Sequence, residues 1–323
     1  MTTELILGAD IGGTAVKYVV LAAEGDVVAE GEIRTDPADP VDTLRRLAAG
    51  VAAALPSGAG RLAAAGLACA GIMSEATGRL GRSPNLPGWQ NRDLGTDARA
   101  VFRDQGLALA NDVNAAAYGE WRRGAGRGAT DLVMIALGTG VGGGVVCGGR
   151  LHLGARQAAG EIGHTVLDPE GPLCNCGNRG CLEAYAGASG IARRAALLAV
   201  TPGAASPAFR SLVAESGQRP DAAALHGLAR AGDATAIELF AWAGRHLGQA
   251  VANCVNLLDP DLVIVGGGVA RAGDFVLGPC RERARGLIMA QESRDVPIVP
   301  AALGPQAAAL GAAELARDRR GAR

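Results

Sequence analysis

The sequence has almost no lysine: of its 31 basic residues only Lys17 is one, and the rest are arginine. A GC-rich genome favouring arginine codons accounts for the set. It leaves one lysine, inside a glycine-rich segment, as a position to follow. The chain has no charge bias either. Its formal net charge is −1 with both signs interspersed, so its electrostatics give no reason to expect nucleic acid or an anionic membrane as partner. The N-terminus MTTELILGADIGG has no basic region and no cleavable apolar segment, so the expectation is a soluble cytoplasmic protein. One uncharged run, Leu132 to Gly149, is long enough to suggest a membrane span, but seven of its residues are glycine, which reads as turns.

At 323 residues the chain exceeds the size at which one hydrophobic core stops growing, and 49% of it is apolar. Two lobes around a cleft are expected. Residues 4–34 read as three short β-rich runs separated by GG and EGD, an antiparallel meander. Residues 36–55 open on turn residues and become helical, ending near Pro56. Arg61 to Ala70 reads as a buried strand, Asp97 to Gln105 as a helix, and 107–112 as a strand ending on polar residues, with a helix continuing from Ala115 to Arg123. The pattern then restarts, with strand, glycine turn and strand over 131–154. Residues 184–258 are mostly alanine- and leucine-rich helix broken by PGAASP, 261–270 is a buried strand entering a glycine turn, and 305–323 is helical. A glycine-turn hairpin thus occurs twice, half a chain apart, which hints at two related lobes.

DIGGT (10–14) and LGTGVGGG (137–144) invite a nucleotide reading, yet neither matches GxxxxGK[ST] and β-branched residues follow both. That excludes the strand–loop–helix context of P-loops and dinucleotide folds. A tight β-hairpin can hold phosphate differently. Glycines allow positive φ and close approach, so that successive N–H groups point into one concavity. Thr14 and Thr139 could add hydroxyls, and Asp10 is placed to hold Mg²⁺ through water. Either hairpin alone could be a plain turn. The third turn, Gly266, Gly267 and Gly268, reads as a wall of the same nucleotide site.

Of the seven cysteines, Cys174, Cys176 and Cys181 crowd into eight positions, ten residues after His164. With Gly177 and Gly180 permitting a sharp loop, they can converge with the histidine on one tetrahedral zinc, a structural site with no open position. Free thiols and a redox role are the alternatives. A disulfide is disfavoured by the compartment and the odd count. Zinc would hold Glu161 and Glu183, at the two ends of the loop, in fixed positions, and a second histidine nitrogen would remain for another partner. Cys69, Cys147, Cys254 and Cys280 read as buried hydrophobes.

Taken in order, DIGGT, LxNDxxAxxxxE (109–120), LGTGVGGG, GEIGH, CxCGxxGCxE and VIVGGG resemble the ROK family (repressors, open reading frames, kinases) across essentially the whole chain. The resemblance implies the actin/Hsp70/hexokinase ATPase fold, with a small lobe of residues 1–118 plus 305–323 and a large zinc-bearing lobe of 119–304. It implies ATP-dependent phosphorylation of a hexose, glucose first and N-acetylglucosamine or N-acetylmannosamine as alternatives. Asp112 matches the family's catalytic base, taking the proton of the sugar hydroxyl that attacks the γ-phosphoryl group. Asn85, Asn111, Glu161, His164 and Glu183 match sugar contacts. Asp10, Gly12, Gly13 and Thr14 would hold phosphate and magnesium, and Thr139 and Gly140 would serve the second phosphate turn.

The plain alternative for Asp112 is a helix N-cap. Lys17 either supports the hairpin or meets phosphate, and Trp89 is a packing residue under SPNLPGW. A sugar-binding ROK regulator is the remote alternative. Such proteins carry a helix-turn-helix segment, for which a first strand beginning by residue 4 leaves no room. The family commonly forms homodimers through the larger lobe.

Overall fold

The computed structural model describes residues 3–71, 73, 74, 77–81, 83, 86–103, 106–290 and 295–321. The first meander forms as expected: β1 (Glu4–Ile11), β2 (Ala15–Ala22) and β3 (Val27–Arg34) are antiparallel neighbours. Helix α1 (Pro40–Ala54) begins on an Asp39 cap whose carboxylate accepts the Val41 and Asp42 N–H groups. It leads to β4 (Arg61–Cys69), α2 (Leu94–Phe102), β5 (Gly106–Asn111) and α3 (Asp112–Arg123). The chain then repeats itself with β6 (Leu132–Leu137), β7 (Val141–Cys147) and β8 (Arg150–Leu151). Helices α4 (Glu183–Ala186), α5 (Ala188–Val200), α6 (Pro207–Glu215), α7 (Ala222–Arg230) and α8 (Ala234–Leu258) follow. The chain closes with β9 (Leu262–Gly266), α9 (Asp274–Arg285), β10 (Ile298–Pro300) and α10 (Ala307–Gly321).

The two sheets have one topology. The first runs β3-β2-β1-β4-β5 and the second β8-β7-β6-β9-β10. In both, an antiparallel meander is extended by two parallel strands on the side of its first strand. The recurring hairpin is therefore the visible trace of a repeated sheet.

Strand alternation sorts the core into three layers. Leu5, Leu7, Ala9 and Ile11 face α1 and α2. Ile6, Val19 and Leu21 face a middle layer with α3, α10 and residues of the second sheet. The far side of the second sheet packs on helices α5 to α9. Helix α10 is buried on all sides from Ala307 to Ala316, and only small residues allow it. A Cβ on Gly8 would lie 2.0 Å from the Ala309 carbonyl, one on Gly66 1.8 Å from that of Ala312, and one on Gly311 1.7 Å from that of Ala115.

Some boundaries differ from expectation. α2 and α3 each begin three residues early, at Leu94 and Asp112, because Asp93 and Asn111 are the caps. Neither α9, with Pro279 in its interior, nor the three-residue β10 is legible as an element. Cys147, expected to be buried, is exposed. It is the last residue before the Gly148–Gly149 hairpin turn, where both glycines have positive φ. Among the described residues no helix is long and apolar enough to cross a membrane.

Candidate active site

Three parallel strands of the first sheet end side by side. Ile11 pairs with Cys69 and Cys69 with Asn111, so Asp10, Cys69 and the Asn111–Asp112 step meet at one carboxyl edge, the usual place for a ligand in such sheets. The Asn111 side chain caps α3: its oxygen accepts the Val113 and Asn114 N–H groups at 2.9 and 3.1 Å. The cap is thus Asn111 and not Asp112, since only a residue outside the helix can turn its side chain back onto the first free N–H groups. Its amide nitrogen donates to the Gly71 carbonyl at 3.0 Å and to Asp112 Oδ1 at 2.9 Å. Asp112 is the first helical residue, held in place by that amide and by the Val113 N–H at 3.0 Å.

Burial pushes the Asp112 carboxyl up. The backbone N–H groups of Val113 and Asp112 and the Asn111 amide oppose this, and the Glu161 charge adds to it. Asp10 is pushed up to about 7, first by burial and then by the Asp112 charge, with Lys17 opposing. Burial, followed by the charges of Asp112 and Asp10, raises the Cys69 thiol as well. Two half-buried carboxyls, each raised by desolvation, thus crowd one edge beside the buried neutral Cys69 thiol, an environment that asks for a cation.

The β1–β2 turn, with Gly12, Gly13 and Thr14, is fastened by Thr35, which sequence reasoning did not single out. Its hydroxyl donates to the Gly12 carbonyl at 2.8 Å and its N–H to the Thr14 carbonyl at 2.9 Å. The β6–β7 turn has a different fastening. The Glu183 carboxylate accepts the Val141 N–H at 3.2 Å and the Cys174 thiol at 3.4 Å. The start of α5 donates to the Gly138 and Thr139 carbonyls at 2.9 and 3.2 Å.

Positive φ is not what the turn glycines supply, contrary to expectation: Gly12, Gly138 and Gly140 adopt ordinary φ. Gly140 instead makes room, because a Cβ there would stand 2.2 Å from Glu183 Oε2. The remaining glycines of the run lie within β7 and serve packing. Side chains at Gly142, Gly143 and Gly144 would meet Val113, Ile162 and Ala117 at 2.5–2.6 Å. Positive φ does occur at Gly267, at +90°, where a Cβ would sit 2.4 Å from the Leu137 carbonyl. The Gly266–Gly268 turn thus rests on the end of β6, beside the second turn, and Gly268 faces open space.

The ligand atoms of His164, Cys174, Cys176 and Cys181 all lie within 4.8 Å of one another. Cys176 and Cys181 Sγ are 3.7 Å apart, and Cys174 Sγ is 3.8 Å from His164 Nδ1. Sulfurs bound tetrahedrally at about 2.3 Å from zinc are about 3.8 Å apart, so the donor set fits that ion. Gly177 and Gly180 do take positive φ, +100° and +68°. The other histidine nitrogen, Nε2, points to Glu161, 4.0 Å from Oε2. Tyr185, stacked at 4.0 Å on His246 of α8, holds the loop from behind; it too went unnoticed in the sequence. Trp89 is fully buried, its indole N–H donating to the Asp36 carbonyl at 2.9 Å, in a packing role. Asn85 lies outside the described residues.

The model of the ROK family matches residues 6–319. A glucokinase of Thermotoga maritima is 36% identical over 318 residues, 98% of either chain. An N-acetylmannosamine kinase of Shigella flexneri is 33% identical over 84% of this chain and 85% of its own. Among solved structures, a ROK family glucokinase from Streptomyces griseus in complex with glucose and AMPPNP superposes with a TM-score of 0.81 at 33% identity, covering 97% of this chain and 99% of that one.

Proposed function

The chain belongs to the ROK family, and on that premise we propose that it is an ATP-dependent hexose kinase converting glucose to glucose 6-phosphate. Its fold is the two-lobed actin/Hsp70/hexokinase ATPase fold. The observation that carries the reading is Asp112. It is a half-buried carboxylate at the head of α3, fixed by Asn111, and its charge is coupled to Asp10 at the first turn and to Glu161 beside the zinc loop. One residue thus stands between a phosphate-holding turn and a polar, loop-borne sugar pocket.

As general base, Asp112 takes the proton of the sugar 6-hydroxyl while that oxygen attacks the γ-phosphorus. A carboxyl raised by burial suits this task better than an ordinary one, because its proton affinity lies nearer working pH. Glu161, His164 Nε2, Glu183, Asn85 and Asn111 are assigned to the sugar. The turns at Gly12–Thr14, Thr139–Gly140 and Gly266–Gly268 are assigned to the nucleotide.

Asp10 fits as the magnesium residue, since its half-buried carboxyl, pushed up to about 7, is costly to ionise without a cation. Mg²⁺ there would neutralise charge on the phosphates. Zinc on His164, Cys174, Cys176 and Cys181 is structural and takes no part in the transfer. The small lobe is assigned to residues 1–118 with 305–323 and the large lobe to 119–304, placing the boundary inside α3. Residence in the cytoplasm, a place in glycolysis and a homodimer complete the reading.

N-acetylmannosamine or N-acetylglucosamine is the second reading for the sugar, favoured by the relative from Shigella flexneri. A coupled ADP-release assay with Mg-ATP against glucose, N-acetylglucosamine, N-acetylmannosamine, mannose and fructose separates the two. Preference for glucose upholds the first. Preference for an N-acetyl sugar keeps the kinase and changes the pocket. Absence of turnover with every sugar refutes both.

A further inference from the structure

Ser83 opens the SPNLPGW stretch, and its side chain is completely buried, a property it shares among the described polar residues with Thr43, Glu120 and Glu314. A buried hydroxyl is costly unless it is hydrogen-bonded. This one donates to the carbonyl of Ala70, the residue just past the end of β4. The Ser83 carbonyl in turn accepts two donors, the Leu86 N–H at 3.3 Å and the Gln90 amide at 3.2 Å. Ser83 and the fully buried Leu86 are thus bound to each other, and Asn85 lies between them in sequence.

The acceptor at Ala70 sits where several parts of the site meet. The Ala70 N–H donates to the Ile11 carbonyl at 3.4 Å, at the end of β1 where the first glycine turn begins. The next carbonyl, that of Gly71, accepts the Asn111 amide at 3.0 Å, and the same amide donates to Asp112 Oδ1. The Ala70–Gly71 step therefore joins the strand entering the first turn, the asparagine that orients Asp112 and, through Ser83, the SPNLPGW stretch. The far end of that stretch has its own anchor. The Trp89 indole N–H donates to the Asp36 carbonyl, and the Asp36 N–H donates to the buried Thr43 hydroxyl at 2.9 Å. Losing the Ser83 hydroxyl would leave this second anchor in place, so its effect should be confined to the part of the stretch near Asn85.

Resting on the kinase reading, we propose that Ser83 is a positioning residue for the sugar: its hydroxyl fixes the stretch that includes Asn85 to the Ala70–Gly71 step, and so sets the sugar against Asp112. Completely buried, it acts through these neighbours and touches neither substrate.

The test is Ser83→Ala, which removes the hydroxyl and adds no bulk. Calorimetric binding of glucose, or of an N-acetyl sugar if the wild type prefers one, is measured beside binding of AMPPNP with Mg²⁺, steady-state kinetics and melting temperature. The sugar should bind about ten- to a hundredfold more weakly, with its KM rising in step, from the lost hydrogen bond and a contact misplaced by about 1 Å. AMPPNP binding should stay within about twofold, because Thr35 fastens the first turn independently. Sugar affinity within about threefold of wild type would overturn the proposal. So would equal weakening of sugar and AMPPNP together with a lower melting temperature, the mark of a merely structural role. A cycle with Asn85→Ala tests the route: in that background Ser83→Ala should cost at most about threefold more, and full additivity would overturn the proposal. A wild type that binds sugar yet transfers no phosphate would refute the kinase reading, and the binding measurements would still decide the role of Ser83.

Discussion

Gly140 has no room for a side chain because Glu183 occupies it: a Cβ there would stand 2.2 Å from Oε2, while the same carboxylate accepts the Val141 N–H and the Cys174 thiol. One side chain thereby ties the β6–β7 turn to the cysteine loop. Gly140→Ala should displace that carboxylate at little cost to folding, because the obstructing atom ends a flexible side chain. We expect kcat/KM for both ATP and sugar to fall by about ten- to a hundredfold, the effect of misplacing a positioned group by about 1 Å, with the melting temperature nearly unchanged. Unchanged kinetics would show that the link does not matter.

Asp112→Asn keeps the shape of the side chain and removes the proposed base. Turnover should fall by about 10²- to 10⁴-fold with sugar binding retained, checked by steady-state kinetics and calorimetry together. In the wild type, activity should decline as pH falls, because the base must be ionised. Burial raises its carboxyl, so the acid limb of kcat/KM should lie above the ordinary carboxylate range. A variant turning over within a few-fold of wild type would sink the assignment.

Much of this site is legible in the sequence, for local reasons. Period-two alternation punctuated by GG marks the hairpins, and cysteine spacing marks the loop that gathers His164. What escapes is long-range. Thr35 meets the Gly12 carbonyl across 23 positions, Glu183 meets Val141 across 42, and Gly267 combines a φ of +90° with Leu137 lying beneath it. Residue type also misleads. Gly140 and Gly142 read alike within one motif, yet the first makes room for a carboxylate and the second for Val113 of α3. α9 is hidden by its internal proline, and β10 is too short to show a period.

Asp10 should reveal a conflict between stability and function. Burial and the Asp112 charge raise its carboxyl to about 7 against an ordinary 3.8, so the folded apo protein holds this proton more tightly than the unfolded chain. Its contribution is fully present below about pH 4 and is lost as pH rises through about 7. Asp10→Asn removes that loss. Without nucleotide or Mg²⁺, the variant should gain stability over wild type progressively from about pH 4 to about pH 7 and then hold an advantage on the order of 1–3 kcal/mol, while losing Mg-ATP turnover. Denaturant unfolding across this range is the check. A difference independent of pH, or a variant less stable at pH 8, would contradict the burial argument.

The loop from Asp168 to Gly180 has little apolar packing of its own: Leu173 is exposed, and Cys174 clusters with only Cys181 and Ala184 among buried residues. Such a segment needs another source of order, and the four-ligand set supplies one. Elemental analysis should find about one zinc per chain, as a closed tetrahedral site predicts. Removing it with a chelator frees the thiols to separate and releases His164 Nδ1. Glu161 loses its anchored neighbour, and Glu183 loses the fixed ligand Cys181 two residues before it, which holds its carboxylate against Val141. The metal-free protein should therefore become sensitive to protease within this loop and lose affinity for sugar before it loses the fold, since the sheets and α10 make no use of the ion. It should also bind AMPPNP more weakly, because the Glu183 link reaches the second turn. Full activity in a verified zinc-free protein would mean that the glutamates are held by something else. Global unfolding on chelation would mean that the loop supports far more of the molecule than its contacts indicate.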